Sequence, residues 1–156
     1  MNTNKFTQKS LEVVQEAQNI ALESGNIQID QEHVLYALLQ DNQGLIHQLF
    51  SKMNLDITAI AQVIKEKIDS KPQVGGPGRE AGKIYISQET DSVFNQAAEE
   101  AKKMKDEYIS VEHIMLGIFD RANQNIKKIL DSFGIKKAKF LEVLTAVRGN
   151  TRVTTD

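Results

Sequence analysis

Apolar residues recur at spacings of three and four in eight successive stretches, the period of an amphipathic helix. In the first, Leu11, Val14, Ala17 and Ala21 follow Thr7, whose side chain suits a helix N-cap, and Gly25 supplies the stop. Asp30 opens a second helix that carries Val34, Leu35, Leu38 and Leu39 to about Gln40. A turn at Asp41–Gly44 precedes a third, Leu45 to Met53, with Ile46, Leu49 and Phe50 aligned. Asp56 caps a fourth, with Ile57, Ile60, Ala61, Ile64 and Ile68 along one side. The pattern then breaks. Residues 70–82 hold both prolines and four of the nine glycines, a composition that cannot continue a helix and predicts a flexible linker.

Beyond the linker the same four stretches return. Ser87 stands where Thr7 stood, followed by Val93, Phe94, Ala97, Ala101 and Met104. Ser110 replaces Asp30, Asn123 to Phe133 repeats the third helix with Gly134 as its stop, and Lys137 to Arg148 repeats the fourth. The offset is 80 residues without a gap, and Glu32-His33 and Glu112-His113 coincide at it. The expected fold is all-α: a pseudo-twofold duplication of a four-helix repeat, about eight helices in one domain. The expected boundaries are a first repeat at 1–70, a linker at 71–86, a second repeat at 87–148, and at 149–156 the start of a further linker. A half of roughly 65 residues buries too little surface to be stable alone, so the halves should share a core, with a groove where they meet.

Composition narrows the function. The net charge is −2, with 26 % charged and 6 % aromatic residues, which gives no reason to expect nucleic acid or a membrane as partner. There is no cysteine, so thiolate chemistry and disulfides are excluded. No apolar run is long enough to span a bilayer, and the polar start lacks the apolar core of a secretion signal, so a cytoplasmic location is expected.

The repeated Glu-His is the most enzyme-like feature. Adjacent helical residues point about 100° apart, however, and His-Glu-x-x-His is absent. Glu32 and Glu112 fit a first helical turn, where a carboxylate complements the helix dipole, and His33 and His113 should pack or hydrogen-bond near the cap. The stretch Gly78 to Ile84 imitates a phosphate loop but is one residue short, has Pro77 in place of its first glycine, and ends in Ile84 where Ser or Thr would bind magnesium. No nucleotide or metal cofactor is expected in this chain. Lys127, Lys128, Lys136, Lys137 and Lys139 read as a solvated helix face.

The twice-used segment of cap residue, Glu-His and apolar run resembles the Clp N-terminal repeat domain, which carries two four-helix repeats with this motif in each. The linker Lys71-Pro72-Gln73-Val74-Gly75-Gly76-Pro77-Gly78, the run Asp106 to His113 and the tail Val147 to Thr154 resemble the version found in ClpB-type disaggregases. The resemblance implies a substrate-binding N-terminal domain that engages unfolded or aggregated polypeptides for an ATPase ring. ATP and magnesium would belong to ATPase modules outside this chain. The parent would be a homohexamer working with a DnaK-type chaperone, and this piece would be a monomer. The family's polar functional positions match Thr7, Asp106 and Glu112. Tyr108 and Val111, beside the motif but off the apolar stripe, are the candidates for lining a groove. Gln96 and Glu100 depart from relatives with apolar residues there and limit that groove's apolar extent. The alternative implied by resemblance is a ClpC-like domain that docks adaptors or phosphoarginine through Glu32 and Glu112. A third possibility, a metal-dependent enzyme, rests on the Glu-His pairs alone.

Overall fold

The computed structural model describes residues 3–74 and 84–149. The phosphate-loop imitation up to Lys83, most of the Gly/Pro linker and the tail from Asn150 lie outside the described residues. The helices of the first repeat are α1 (Gln8–Glu23), α2 (Gln31–Gln40), α3 (Leu45–Lys52) and α4 (Ile57–Asp69). Those of the second are α5 (Gln88–Lys103), α6 (Val111–Arg121), α7 (Gln124–Ser132) and α8 (Lys137–Arg148). A short 3-10 turn at Thr3–Lys5 precedes α1. The eight α-helices and their order match the duplicated pattern of the sequence.

The caps act as the sequence predicts. Thr7, Asp56, Ser87 and Asn123 each accept, through a side-chain oxygen, a backbone N–H in the first turn of the helix they precede. Gly25 ends the first-repeat helix α1 at a φ of 69°, the left-handed conformation glycine reaches without a Cβ penalty.

The stripes converge on one core shared by both halves. Leu35, Leu49, Phe50 and Ile64 from the first repeat join Ile114, Met115, Ile118 and Phe140 from the second, all of them fully buried. Phe50 of α3 meets Phe140 of α8 edge-on, with ring centroids 6.4 Å apart. Each such side chain contributes about 1.5–3 kcal/mol by leaving water. α5 and α6 pack more intimately than their counterparts α1 and α2. Gly117 permits this, because a Cβ there would sit 2.4 Å from the Val93 carbonyl oxygen.

The halves are also clasped through their backbones, which periodicity did not predict. β1 (Gln28–Ile29) pairs in parallel with β2 (Tyr85–Ile86), in the register Gln28 with Tyr85 and Ile29 with Ile86. Phe6 forms the symmetry-related bridge with Ile109. Thr7 donates its N–H to the Ile109 carbonyl at 3.0 Å, and Ser87 donates its N–H to the Ile29 carbonyl at 3.0 Å. The segment entering the first helix of each repeat is thus held by the segment entering the second helix of the other. Neither half closes its own ladder.

Candidate functional site

The Glu-His motif opens α2 and α6. His33 Nδ1 accepts the Asp30 backbone N–H at 2.8 Å, and His113 Nδ1 accepts the Ser110 backbone N–H at 2.9 Å. A histidine therefore takes the place that Glu or Gln fills in an ordinary capping box. With Nδ1 accepting, the proton of the neutral ring lies on Nε2. His33 Nε2–H donates to Asn26 Oδ1 at 2.7 Å, and His113 Nε2–H donates to Asp106 Oδ2 at 2.7 Å. Both rings are fully buried. Burial pushes the His33 pKa down from 6.5 to about 4, against the opposing pull of Asp30 and Glu32.

The carboxylates following the caps are held differently in the two repeats. Glu32 is buried, and burial alone would raise its pKa. Hydrogen bonds from Asn125 Nδ2 at 2.8 Å and Asn123 Nδ2 at 3.2 Å, with Lys71 at 3.3 Å, outweigh that and hold the carboxyl below its ordinary range. Lys71 also reaches Asp30 at 3.0 Å. In the second repeat Arg148, at the end of α8, makes a two-pronged pair with Asp106 at 2.9 and 2.6 Å and lies 3.7 Å from Glu112. The hydrogen bond to Asp106 raises the Arg148 pKa further. Ser110 Oγ donates to Glu112. The Asp106 side chain is fully enclosed, with Arg148 on one side and His113 on the other.

Of the five residues singled out from the sequence, Asp106 and Glu112 share the Arg148 cluster. Thr7 caps α1, its Oγ1 engaged with Ser10, while Ser10 Oγ donates to the Ile109 carbonyl. Tyr108 is half-buried on the segment that pairs with the chain start. Val111 alone lines an open groove, of about 470 Å³, between α1, the α2–α3 corner and the start of α6. The floor of this groove is Ala37, Leu38 and Ile46, and its rim carries Lys9, Glu12, Glu16 and Asp41. Arg148 and Lys71 were missed because neither cation recurs at the 80-residue offset: the counterpart of Arg148 is Ile68. The groove carried a usable signal, since Val111 in the second repeat replaces Gln31 in the first.

A reciprocal double repeat of four helices, with paired helix-start clusters and an open apolar groove, defines an all-helical repeat domain. The chain belongs to the family of the Clp repeat (R) N-terminal domain, whose model matches residues 5–133. It is 40 % identical over 154 residues to the chaperone protein ClpB of Bacillus anthracis, covering 99 % of this chain and 18 % of that protein. With ClpB of Clostridium tetani the identity is 39 % over 155 residues, again 99 % and 18 %. The chain therefore spans about a fifth of the length of these relatives. The crystal structure of the Hsp104 N-terminal domain from Candida albicans has the same fold, with a TM-score of 0.83, 20 % identity and 97 % coverage of each chain.

Proposed function

We propose that this domain is the substrate-engaging N-terminal module of a ClpB-type disaggregase, capturing unfolded or aggregated polypeptide for transfer to an ATPase ring. The observation that carries the reading is an apolar groove left open to solvent in a chain so similar to ClpB over nearly all its length. The parent machine would be a cytoplasmic homohexamer working with a DnaK-type chaperone. ATP and magnesium would act in modules beyond this chain, and the chain itself would perform no catalysis. The engaged surface would include Val111 in the groove, with Tyr108 and Thr7 beside the Ile109 bridge, while Asp106 and Glu112, enclosed behind Arg148, would contribute by holding that neighbouring cluster in place. Single-domain affinity is expected to be weak, with several copies on a ring adding through effective concentration.

The ClpC-like alternative needs Glu32 and Glu112 to receive an external guanidinium. Each already faces an internal cation, Lys71 or Arg148, which such a ligand would have to displace. Titration of the 15N-labelled chain with a permanently unfolded, alkylated protein is expected to shift amides around Thr7, Tyr108 and Val111. A titration that leaves the spectrum unchanged up to millimolar probe would refute substrate engagement by this domain.

A further inference from the structure

The two repeats treat one groove in opposite ways. In the second repeat the place equivalent to the open groove is plugged by Gln31, which projects from the other half and is almost fully buried. Its Nε2 donates to the Glu89 carbonyl at 2.9 Å and the Arg121 carbonyl at 2.8 Å, and its Oε1 accepts the Asn123 N–H at 2.8 Å. The outer wall there is cross-laced: Arg121 donates to Gln96 Oε1, Gln96 donates to Asp120, and Lys137 pairs with Asp120 at 2.8 Å. In the first repeat Val111 occupies the position of Gln31 and fills none of these polar roles. Leu45 stands where the second repeat has Asn125, and the walls are half-exposed Val13, Leu45 and Val111.

The rim of the open groove is acidic. Glu12, Glu16 and Asp41 face a single cation, Lys9, whose ammonium lies 3.7 Å from Glu12 and 4.0 Å from Asp41. Glu16 has no ion pair among the described residues. An apolar floor inside an anionic rim complements an apolar side-chain cluster flanked by positive charge. The volume of about 470 Å³ holds a few side chains, not a folded surface.

We infer that the first-repeat groove, and not its plugged counterpart on α5 and α6, is the docking site for non-native chain, and that it selects short apolar stretches flanked by Arg or Lys. This rests on the substrate-engaging reading above and adds its location and its charge preference. The rim acts mainly by steering and selecting, the floor by burial.

The test uses the 15N-labelled chain with two synthetic peptides, one of leucine and valine flanked by arginines and its twin flanked by glutamates. The arginine peptide is expected to shift Val13, Glu16, Leu45 and Val111 and to bind on the order of tenfold more tightly than its twin. In the doubly substituted Glu12→Lys/Glu16→Lys chain that preference should vanish or reverse. Val111→Gln, which imitates the plugged half, should weaken both peptides. These exposed or half-exposed substitutions are checked for folding by circular dichroism. Shifts confined to α5 and α6, or a charge preference that survives the double substitution, overturn the groove assignment. Capture of the alkylated unfolded protein is measured in parallel. If capture persists unchanged in both variants, the groove assignment falls while the general function stands. If the unsubstituted chain captures nothing, the general function falls first.

Discussion

The two helix-start clusters share a backbone device and differ in their charges. In both, a histidine at the third helical position accepts the cap N–H and donates to the residue seven positions earlier. In the first repeat that residue is the neutral Asn26; in the second it is the carboxylate Asp106. The second repeat answers with Arg148 from the end of α8, and the first neutralises Glu32 with Lys71 from beyond α4 and with amides from α7. The two halves share the hydrogen-bonded scaffold and draw their counter-charge from different places in the chain. The second cluster gathers its counter-charge on Arg148, which serves both Asp106 and Glu112, and the first spreads it over Lys71 and two amides.

The largest effect is expected from Arg148→Met. It leaves the Asp106 carboxylate buried without that guanidinium, the His113 N–H still donating to it, and loss of one partner of a buried pair costs about 3–5 kcal/mol. Lys71→Met should cost a fraction of that, because Asn123 and Asn125 still donate to Glu32. Combining Arg148→Met with Asp106→Asn should recover most of the loss, since that pair recreates the neutral arrangement of the first repeat. Urea unfolding of the four proteins at pH 7 measures all these differences.

Acid acts next, through the first cluster. The folded His33 pKa, about 4, lies below the unfolded 6.5. Between those values the unfolded chain takes up a proton that the folded chain refuses, so stability falls as pH drops through this window and levels off below it. The full loss from His33 is about 3 kcal/mol. Glu32, whose pKa is depressed, adds its loss lower still, below its ordinary 4.5. His33→Gln keeps an acceptor for the Asp30 N–H but cannot titrate. Its stability should change much less between pH 7 and pH 5 than that of the unsubstituted chain.

Most of the fold was legible in the sequence because it is written in local terms. Caps such as Thr7, Asp56 and Ser87 and stripes such as Ile60, Ile64 and Ile68 need only near neighbours to be read, and the 80-residue repeat multiplied each signal by two. The clasp was not legible: a two-residue ladder has no alternation to detect, and its partners are far apart in the chain. The basic cluster was partly misread. Lys127, Lys128, Lys136 and Lys139 are exposed, but Lys137 is half-buried and pairs with Asp120 at 2.8 Å and Glu100 at 3.6 Å. The departure at Gln96 and Glu100 was visible, and the structure gives it a physical meaning, a wall of hydrogen bonds and ion pairs over the second groove. Val111 stood out beside the motif, yet its significance lies in its contrast with Gln31, a swap at one repeat position that only the packing makes consequential.

A milder contrast lies where the first two helices of each repeat approach. Gly117 of α6, pressed against the Val93 carbonyl, corresponds to Ala37 of α2, whose Cβ the structure accommodates. Gly117→Ala should therefore destabilise by about 1–3 kcal/mol despite the gain in helix propensity, because Val93 and Ala97 backbone must move. Ala37→Gly makes no clash and should cost about 1 kcal/mol, from propensity and a small void. Thermal unfolding of the two variants separates steric from propensity effects.

The smallest effect comes from the turns that end α1 and α5, and it has the opposite sign. Both turns need a left-handed residue at the same repeat position: Gly25 at φ 69° in the first, Lys105 at φ 59° in the second. A side chain in this region costs roughly 1–2 kcal/mol, which glycine avoids. Glycine in turn loses more freedom on folding, by about 0.4–1 kcal/mol. Lys105 is exposed, and among the described residues its side chain makes no hydrogen bond or ion pair that the change would remove. Lys105→Gly should therefore raise stability by about 0.5–1 kcal/mol. The reciprocal change, Gly25→Lys, should cost more than this gain, because its Cβ would also lie 3.2 Å from the Val74 carbonyl oxygen. Equal and opposite effects would mean that backbone conformation alone sets the preference. An excess cost at Gly25 would show that the chain just after α4, held there by the Val74 N–H on the Gly25 carbonyl, makes the first turn less tolerant than the second.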